Sequence, residues 1–283
     1  MAIVAEPIAD VRRRVREVRA GGQRIGLVPT MGALHEGHAS LIRRARAETG
    51  FVVVSLFVNP TQFGPGEDFA KYPRPFAQDL ETCRREGVDL VFAPAAAQMY
   101  PAGFATTVHV AGMGEKMCGA FRPGHFDGVS TAVAKLLAIV QPDAAYFGEK
   151  DAQQLAIVRR MVADLDLPVE IRGCPTVREP DGLAMSSRNA YLAPAERKRA
   201  LALSAALAEA RQAVLAGERD GRRLAERVRR RLETADGVEL QYAAVVDPDT
   251  LDDLARVADK VLVAVAAKVG GTRLIDNVLL RNL

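Results

Sequence analysis

The stretch Ile25-Gly26-Leu27-Val28-Pro29-Thr30-Met31-Gly32-Ala33-Leu34-His35-Glu36-Gly37-His38 decides the fold. Ile25–Val28 is a short apolar run of strand character, and His38–Thr49 follows with apolar positions at Leu41, Ile42 and Ala45, a helical spacing. The same alternation continues downstream. Phe51–Val58 reads as a strand, Phe76–Glu86 as a helix, Val88–Phe92 as a strand and Val129–Val140 as a helix. Ala144–Phe147 (strand), Ala152–Leu165 (helix) and Val169–Arg172 (strand) complete the series. Continuous apolar strands separated by helices imply a parallel sheet covered on both faces. The expected fold class is α/β, a Rossmann-like doubly wound parallel sheet, which binds ligands outside the carboxyl ends of its strands.

The texture changes after Thr176. Ala195–Ala216 and Gly221–Thr234 are long helices rich in Ala, Arg and Leu, and Val238–Val246, Lys260–Val269 and Thr272–Leu280 read as strands. A short helix is expected over Thr250–Val257. Two helices followed by strands suggest a smaller C-terminal α+β domain. Residues 1–175 are therefore expected to form the Rossmann-like domain and 176–283 the C-terminal one, with the boundary near Gly173–Pro180, where Pro175 and Pro180 break regularity.

Length and composition narrow the function. The 283 residues can bury a full core without disulfide or metal staples, and 49% hydrophobic with 26% charged residues is an ordinary globular balance. The densest apolar runs, Phe51–Val58 and Val261–Ala267, fall far short of a ~20-residue membrane span. Net charge is only +3, which argues against an obligate nucleic-acid binder. The Arg-rich stretches Arg12–Arg19 and Arg222–Arg231 carry Val11, Val15, Val18 and Leu224, Val228, Leu232 at helical spacing, so they read as outer faces of amphipathic helices. Cys83, Cys118 and Cys174 lie far apart with no paired spacing, and the opening Met-Ala-Ile-Val-Ala-Glu-Pro lacks a secretion-like pattern. A reducing, cytoplasmic location is expected.

Three segments carry chemistry. The stretch Pro29–His38 runs from the end of the first strand into a helix, whose unpaired N–H groups and positive end suit phosphate. Gly32 and Gly37 let a nucleotide approach the backbone, and His35 and His38, two of four histidines, could donate to phosphate oxygens. Zinc binding or an incidental surface position are the other readings of this pair. Gly148-Glu149-Lys150-Asp151 again lies between a strand and a helix: Asp151 can cap the helix and Lys150 offer a point charge, unless it is a plain loop lysine. Met185-Ser186-Ser187-Arg188-Asn189 places two hydroxyls and a guanidinium in a polar loop, as a phosphate clamp or as a helix entry capped by serine.

Together these residues resemble a family. The His-x-Gly-His turn with a later Met-Ser loop is similar to the nucleotidyl-transferring superfamily that includes class I aminoacyl-tRNA synthetases. Phe57-Val58-Asn59-Pro60-Thr61-Gln62-Phe63-Gly64, Glu67-Asp68 through Tyr72-Pro73-Arg74, and Arg122-Pro123-Gly124-His125-Phe126 narrow the match. Gly148–Asp151 with Gln153-Gln154, and Val177-Arg178 through Asp181–Asn189, complete it. The chain resembles the pantoate–β-alanine ligase family over roughly Pro29 to Leu192, with one departure at Cys118, where an acidic residue is expected.

The resemblance implies an ATP-dependent ligase that condenses (R)-pantoate with β-alanine through a pantoyl-adenylate, releasing pyrophosphate and AMP, with Mg²⁺ accompanying ATP. It implies that Met31, Gly32, Ala33, Leu34, His35, Glu36, Gly37 and His38, with Gly148, Glu149, Lys150 and Asp151, bind ATP. Val177, Met185, Ser186, Ser187 and Arg188 complete that set, and His35, His38, Lys150 and Arg188 are the catalytic candidates. Gln62 and Gln154 match the pantoate-binding amides, while Asn59, Tyr72, Arg122 and His125 are candidates for the β-alanine end, Arg122 being either its carboxylate partner or part of a structural turn. A homodimer and a C-terminal domain acting as a lid are also implied.

Overall fold

The apolar runs pair side by side in parallel, as their unbroken hydrophobicity requires. In chain order the first elements are β1 (Ile3–Ala5), α1 (Ile8–Ala20), β2 (Ile25–Thr30), α2 (Glu36–Glu48), β3 (Phe51–Leu56), α3 (Phe76–Arg85), β4 (Leu90–Phe92) and α4 (Ala96–Met99). After them come α5 (Cys118–Phe121), α6 (His125–Val140), β5 (Ala144–Gly148), α7 (Ala152–Asp164) and β6 (Glu170–Cys174). The computed structural model describes residues 2–283. Its six-stranded sheet has the order β1-β4-β3-β2-β5-β6, and every pairing is parallel. Strand order reverses between β2 and β5, where Gly26 pairs with Ala144 and Leu27 with Ala145. That reversal is the switch point at which an open α/β sheet leaves a crevice beyond its carboxyl ends.

Helical periodicity places the apolar faces as expected. Val11, Val15 and Val18 of α1 are buried while its arginines face solvent. Leu41, Ile42 and Ala45 of α2 pack with Val28, Val52, Val54, Val91 and Tyr146 of the sheet. The remaining elements are α8 (Pro194–Leu215), α9 (Gly221–Glu233), β7 (Val238–Val246), β8 (Lys260–Val269) and β9 (Thr272–Arg281). The last three form an antiparallel sheet, β7-β8-β9. Leu203 and Leu207 of α8 and Leu224, Val228 and Leu232 of α9 cover the face of Val261, Val263 and Val265.

The chain divides into two compact units: 1–114, 122–149 and 157–175 in one, 115–121, 150–156 and 176–283 in the other. Two short excursions, one of them carrying Lys150, thus group with the C-terminal unit.

Two readings need correction, and one strand was not foreseen. Thr250–Val257 is not a helix. Asp247 Oδ1 accepts from the N–H groups of Asp249 and Thr250, Leu251 has φ +60°, and Asp253 and Arg256 enter single β-bridges with Val246 and Asp220. Local side-chain bonding in the Asp-Pro-Asp-Thr turn outcompetes the helix. Helix α6 begins at His125 rather than Val129, after a left-handed Gly124 at φ +77°. Finally β1, a three-residue edge strand paired only with β4, was invisible to periodicity.

Candidate functional site

The turn after β2 is held in shape by one buried carboxylate. Gly32 and Ala33 both have positive φ (+82° and +51°), which turns consecutive N–H groups inward. Asp79 of α3, 3% exposed, accepts from Ala33 N–H at 2.9 Å and Leu34 N–H at 2.7 Å. Gly32 is required here twice over: its φ suits glycine, and an added Cβ would lie 2.9 Å from Asp79 Oδ2. Burial raises the Asp79 pKa above the ordinary aspartate value, although the Leu34 and Ala33 N–H groups pull it back. The same burial, with the Asp79 charge nearby, pushes the Cys83 thiol up to about 12, so it stays protonated.

His35 and His38 form a reciprocal cap on α2. His35 Nδ1 accepts from Gly37 N–H at 3.1 Å, and His38 Nδ1 accepts from His35 N–H at 3.3 Å. Accepting at Nδ1 assigns the proton of each neutral ring to Nε2. The two rings lie 4.1 Å apart between centroids at the positive end of the helix. This geometry suits an oxyanion whose charge grows during reaction. Glu36, in the first turn, pairs with Arg43.

The second cluster in this unit is centred on Gln62, the end of a 3₁₀ turn over Pro60–Gln62 that follows β3. Asn59, 2% exposed, has both ends of its amide occupied. Its Oδ1 accepts from Thr61 N–H, Thr61 Oγ1 and Tyr100 OH, while its Nδ2 donates to Gly128 O and to Gln62 Oε1, each at 3.0 Å. Gln62 Nε2 donates to Met31 Sδ at 2.9 Å. A Cβ at Gly128 would lie 2.3 Å from Thr61 O, so only glycine lets α6 approach this turn.

Arg122 and His125 hold the backbone of Gln62. Arg122 donates from NH2 and His125 from Nδ1 to Gln62 O, at 3.1 and 2.7 Å. Arg122 also grips Glu67 with Nε and NH2 at 2.6 and 2.5 Å, and its NH1 lies 3.0 Å from His125 Nε2. His125 therefore carries its proton on Nδ1, the reverse of His35 and His38. Burial raises the Glu67 pKa, but the Arg122 hydrogen bonds and charge outweigh it and leave it below the usual glutamate value. The Arg122 charge is thus already matched by a carboxylate. Tyr72 is buried with its ring edge against Phe63.

Gly148 ends β5 on the far side of the switch point from Thr30, and Glu149–Asp151 forms one 3₁₀ turn before α7. In the second unit, Lys150 Nζ lies 3.7 Å from Asp151 Oδ2 with its side chain 19% exposed. The adjacent glutamines differ. Gln153 is consumed internally, accepting from Cys118 N–H at 3.0 Å and donating to Lys116 O at 2.8 Å. Gln154 is half-buried and makes no side-chain hydrogen bond to the described residues. Met185 N–H donates to Val177 O, and Ser186 Oγ accepts from Arg188 N–H, capping a 3₁₀ helix over Ser187–Tyr191.

Asp79 and Glu67 were missed as working residues by sequence reasoning. Asp79 had a signal, since it lies four residues before Cys83 on the buried stripe of α3. Glu67 had none beyond its place in the motif.

A helix N-terminus with paired imidazole N–H donors at the switch point of a doubly wound sheet defines a class, the nucleotide-handling α/β proteins of the His-x-Gly-His type. The comparisons narrow it. The Pantoate-beta-alanine ligase family model matches residues 3–279. Pantothenate synthetase of Thermoanaerobacter sp. (strain X514) is 55% identical over 98% of both chains, and pantothenate synthetase 1 of Bradyrhizobium diazoefficiens is 54% identical over 98% of both. The crystal structure of pantothenate synthetase from Thermus thermophilus superposes with a TM-score of 0.93 at 46% identity, covering 98% of this chain and 99% of that one. The Francisella tularensis pantoate-beta-alanine ligase, solved in complex with β-γ ATP and β-alanine, gives 0.80 at 34% identity over 99% and 98%. The chain belongs to the pantoate–β-alanine ligase family, and its activity is the ATP-dependent joining of pantoate to β-alanine.

Proposed function

We propose that the ligation runs through a pantoyl-adenylate. A carboxylate oxygen of (R)-pantoate attacks the α-phosphorus of ATP, the bond to the β-phosphate breaks, and pyrophosphate leaves. The β-alanine amine, having lost its ammonium proton, then attacks the acyl carbon, and AMP departs. No protein nucleophile is needed, so the residues act by positioning and by stabilising phosphate charge.

In this reading ATP is bound by residues 31–38, Gly148–Asp151, Val177 and Met185–Arg188. His35 and His38 donate from Nε2 to phosphate oxygens, and Lys150 and Arg188 supply positive charge. The paired Nε2–H donors at the start of α2 are the observation that carries the reading. Gln62 and Gln154 orient the pantoate carboxylate as neutral amides, avoiding an ion pair that would blunt its attack. Support for Gln62 is its fixed amide, and for Gln154 its uncommitted one. Asn59, Arg122 and His125 shape this end by holding Gln62, and β-alanine binds beside them and Tyr72. Mg²⁺ accompanies ATP in this reading; phosphate oxygens and water would hold it, and it would neutralise phosphate charge.

The working form is a homodimer in the cytoplasm; three buried free cysteines suit a reducing compartment. Light scattering on the purified chain tests the dimer, and a monomer mass would remove it. Product analysis with ATP, Mg²⁺ and pantoate tests the chemistry. Pyrophosphate exchange on pantoate alone, with AMP appearing only on adding β-alanine, is expected. No pantoate-dependent exchange would overturn the adenylate route.

A further inference from the structure

Lys150 and the Val177–Arg188 segment come from separate stretches of chain, yet both are fastened to neighbouring residues of one strand. In β9, Asp276 pairs with Val265 and Asn277 with Ala264. Successive strand residues face opposite sides of a sheet. Asp276 therefore shares the face of Val265, which α8 and α9 cover, and Asn277 faces the other way. Asp276, 3% exposed, takes a bidentate pair from Arg178, with NH1 to Oδ2 at 2.7 Å and NH2 to Oδ1 at 3.0 Å. The same NH1 donates to Gly182 O at 3.1 Å, and Arg178 forms an antiparallel bridge with Ala184. One guanidinium thus joins both arms of the turn that leads into Met185–Arg188 and fixes them to β9.

Asn277, 6% exposed, donates from Nδ2 to Lys150 O at 2.8 Å. The two fastenings also share atoms: Asn277 N–H donates to Asp276 Oδ1 at 2.8 Å, and Asn277 O accepts from Arg178 NH2 at 3.4 Å. We propose that Asp276 and Asn277 form a double tether that sets the spacing between Lys150 and the Val177–Arg188 segment, making both positioning residues for the nucleotide. The inference rests on the reading that Lys150 and Ser186–Arg188 hold ATP. Its physical basis is that charges bound for one triphosphate must be held to fractions of an ångström, and a strand is a stiffer ruler than a loop.

The test is pantoate-dependent ATP–pyrophosphate exchange by wild type, Lys150→Ala, Asn277→Leu and the double variant. Asn277→Leu keeps the volume and removes the donor, so exchange should fall about tenfold at unchanged pantoate KM. In the Lys150→Ala background the same change should cost nothing further, because Asn277 acts through Lys150. Wild-type exchange by Asn277→Leu, or multiplying losses in the double variant, would overturn its half of the tether. Asp276→Asn, and Arg178→Lys at the more exposed partner, should each raise the ATP KM several-fold and leave the pantoate KM unmoved. An unchanged ATP KM in the folded variant would overturn the Asp276 half. Wild-type exchange by Lys150→Ala would instead remove the ATP reading itself, and the tether with it.

Discussion

At the turn after β2, His35 and His38 accept backbone N–H groups at Nδ1 and keep their donors at Nε2. Beside Gln62, His125 does the reverse, donating from Nδ1 to a backbone carbonyl and facing Arg122 with Nε2. The first cluster spends its Nδ1 acceptors on its own chain, which assigns its donors to Nε2. The second spends donors and acceptors alike on fixing one amide. Residue type within a motif therefore does not separate the two histidine environments; the direction of each hydrogen bond does.

The largest expected effect of breaking this contrast is at the first cluster. His38→Ala should lose about 2–4 kcal/mol of transition-state stabilisation, read as kcat for adenylate formation. A variant within threefold of wild type would make that ring scaffolding. Asp79→Asn comes next. The amide can satisfy one of the two N–H groups but sets its own NH2 against the other, so the ATP KM should rise about tenfold while the pantoate KM holds. Equal change in both KM values would show a general loss of structure instead.

Arg122→Ala separates the two roles open to that residue. The resemblance to the family assigns it to β-alanine, which would confine the loss to the β-alanine KM. The geometry predicts that pantoate-dependent exchange falls as well, by about threefold to tenfold, because Gln62 O loses a donor. A smaller effect concerns pH. The folded pKa of Glu67 lies below its unfolded value, so its pairing stabilises the fold above the ordinary glutamate pKa of about 4.3 and is lost as pH falls through the lower folded value. Glu67→Gln should flatten that part of the stability–pH curve; an unaltered curve would detach Glu67 from acid unfolding. Smallest is the protection of Asp181–Asn189 against hydrogen exchange, which ATP should raise if this segment closes on the nucleotide. Identical exchange with and without ATP would count against closure.

Much of this was legible in the sequence, for definite reasons. A 3.6-residue period exposes a buried face wherever a helix is long, so Val11, Val15 and Val18, and Leu224, Val228 and Leu232, could be placed in advance. The parallel sheet followed from strands with no polar face. The failures have two causes: local side-chain bonding that competes with a helix, as at Asp247, and contacts that have no local period. The approach of α6 to the Pro60–Gln62 turn, with Gly128 against Thr61, is one such contact. At the site, the residues of the 31–38 turn and the Gln62 motif were named from sequence, but not which of them Asp79, Arg122 and Glu67 hold in place. Those partners lie 45 to 60 residues away along the chain, where spacing carries no signal.

The contrast between the two histidine environments can be observed directly, since the chain has only four histidines. Nitrogen-15 spectra of the imidazole rings at neutral pH distinguish the two tautomers. His35 and His38 should appear as Nε2–H rings whose signals move on adding ATP, and His125 as an Nδ1–H ring. An Nδ1–H tautomer at His38, or the same tautomer at all three, would contradict the account.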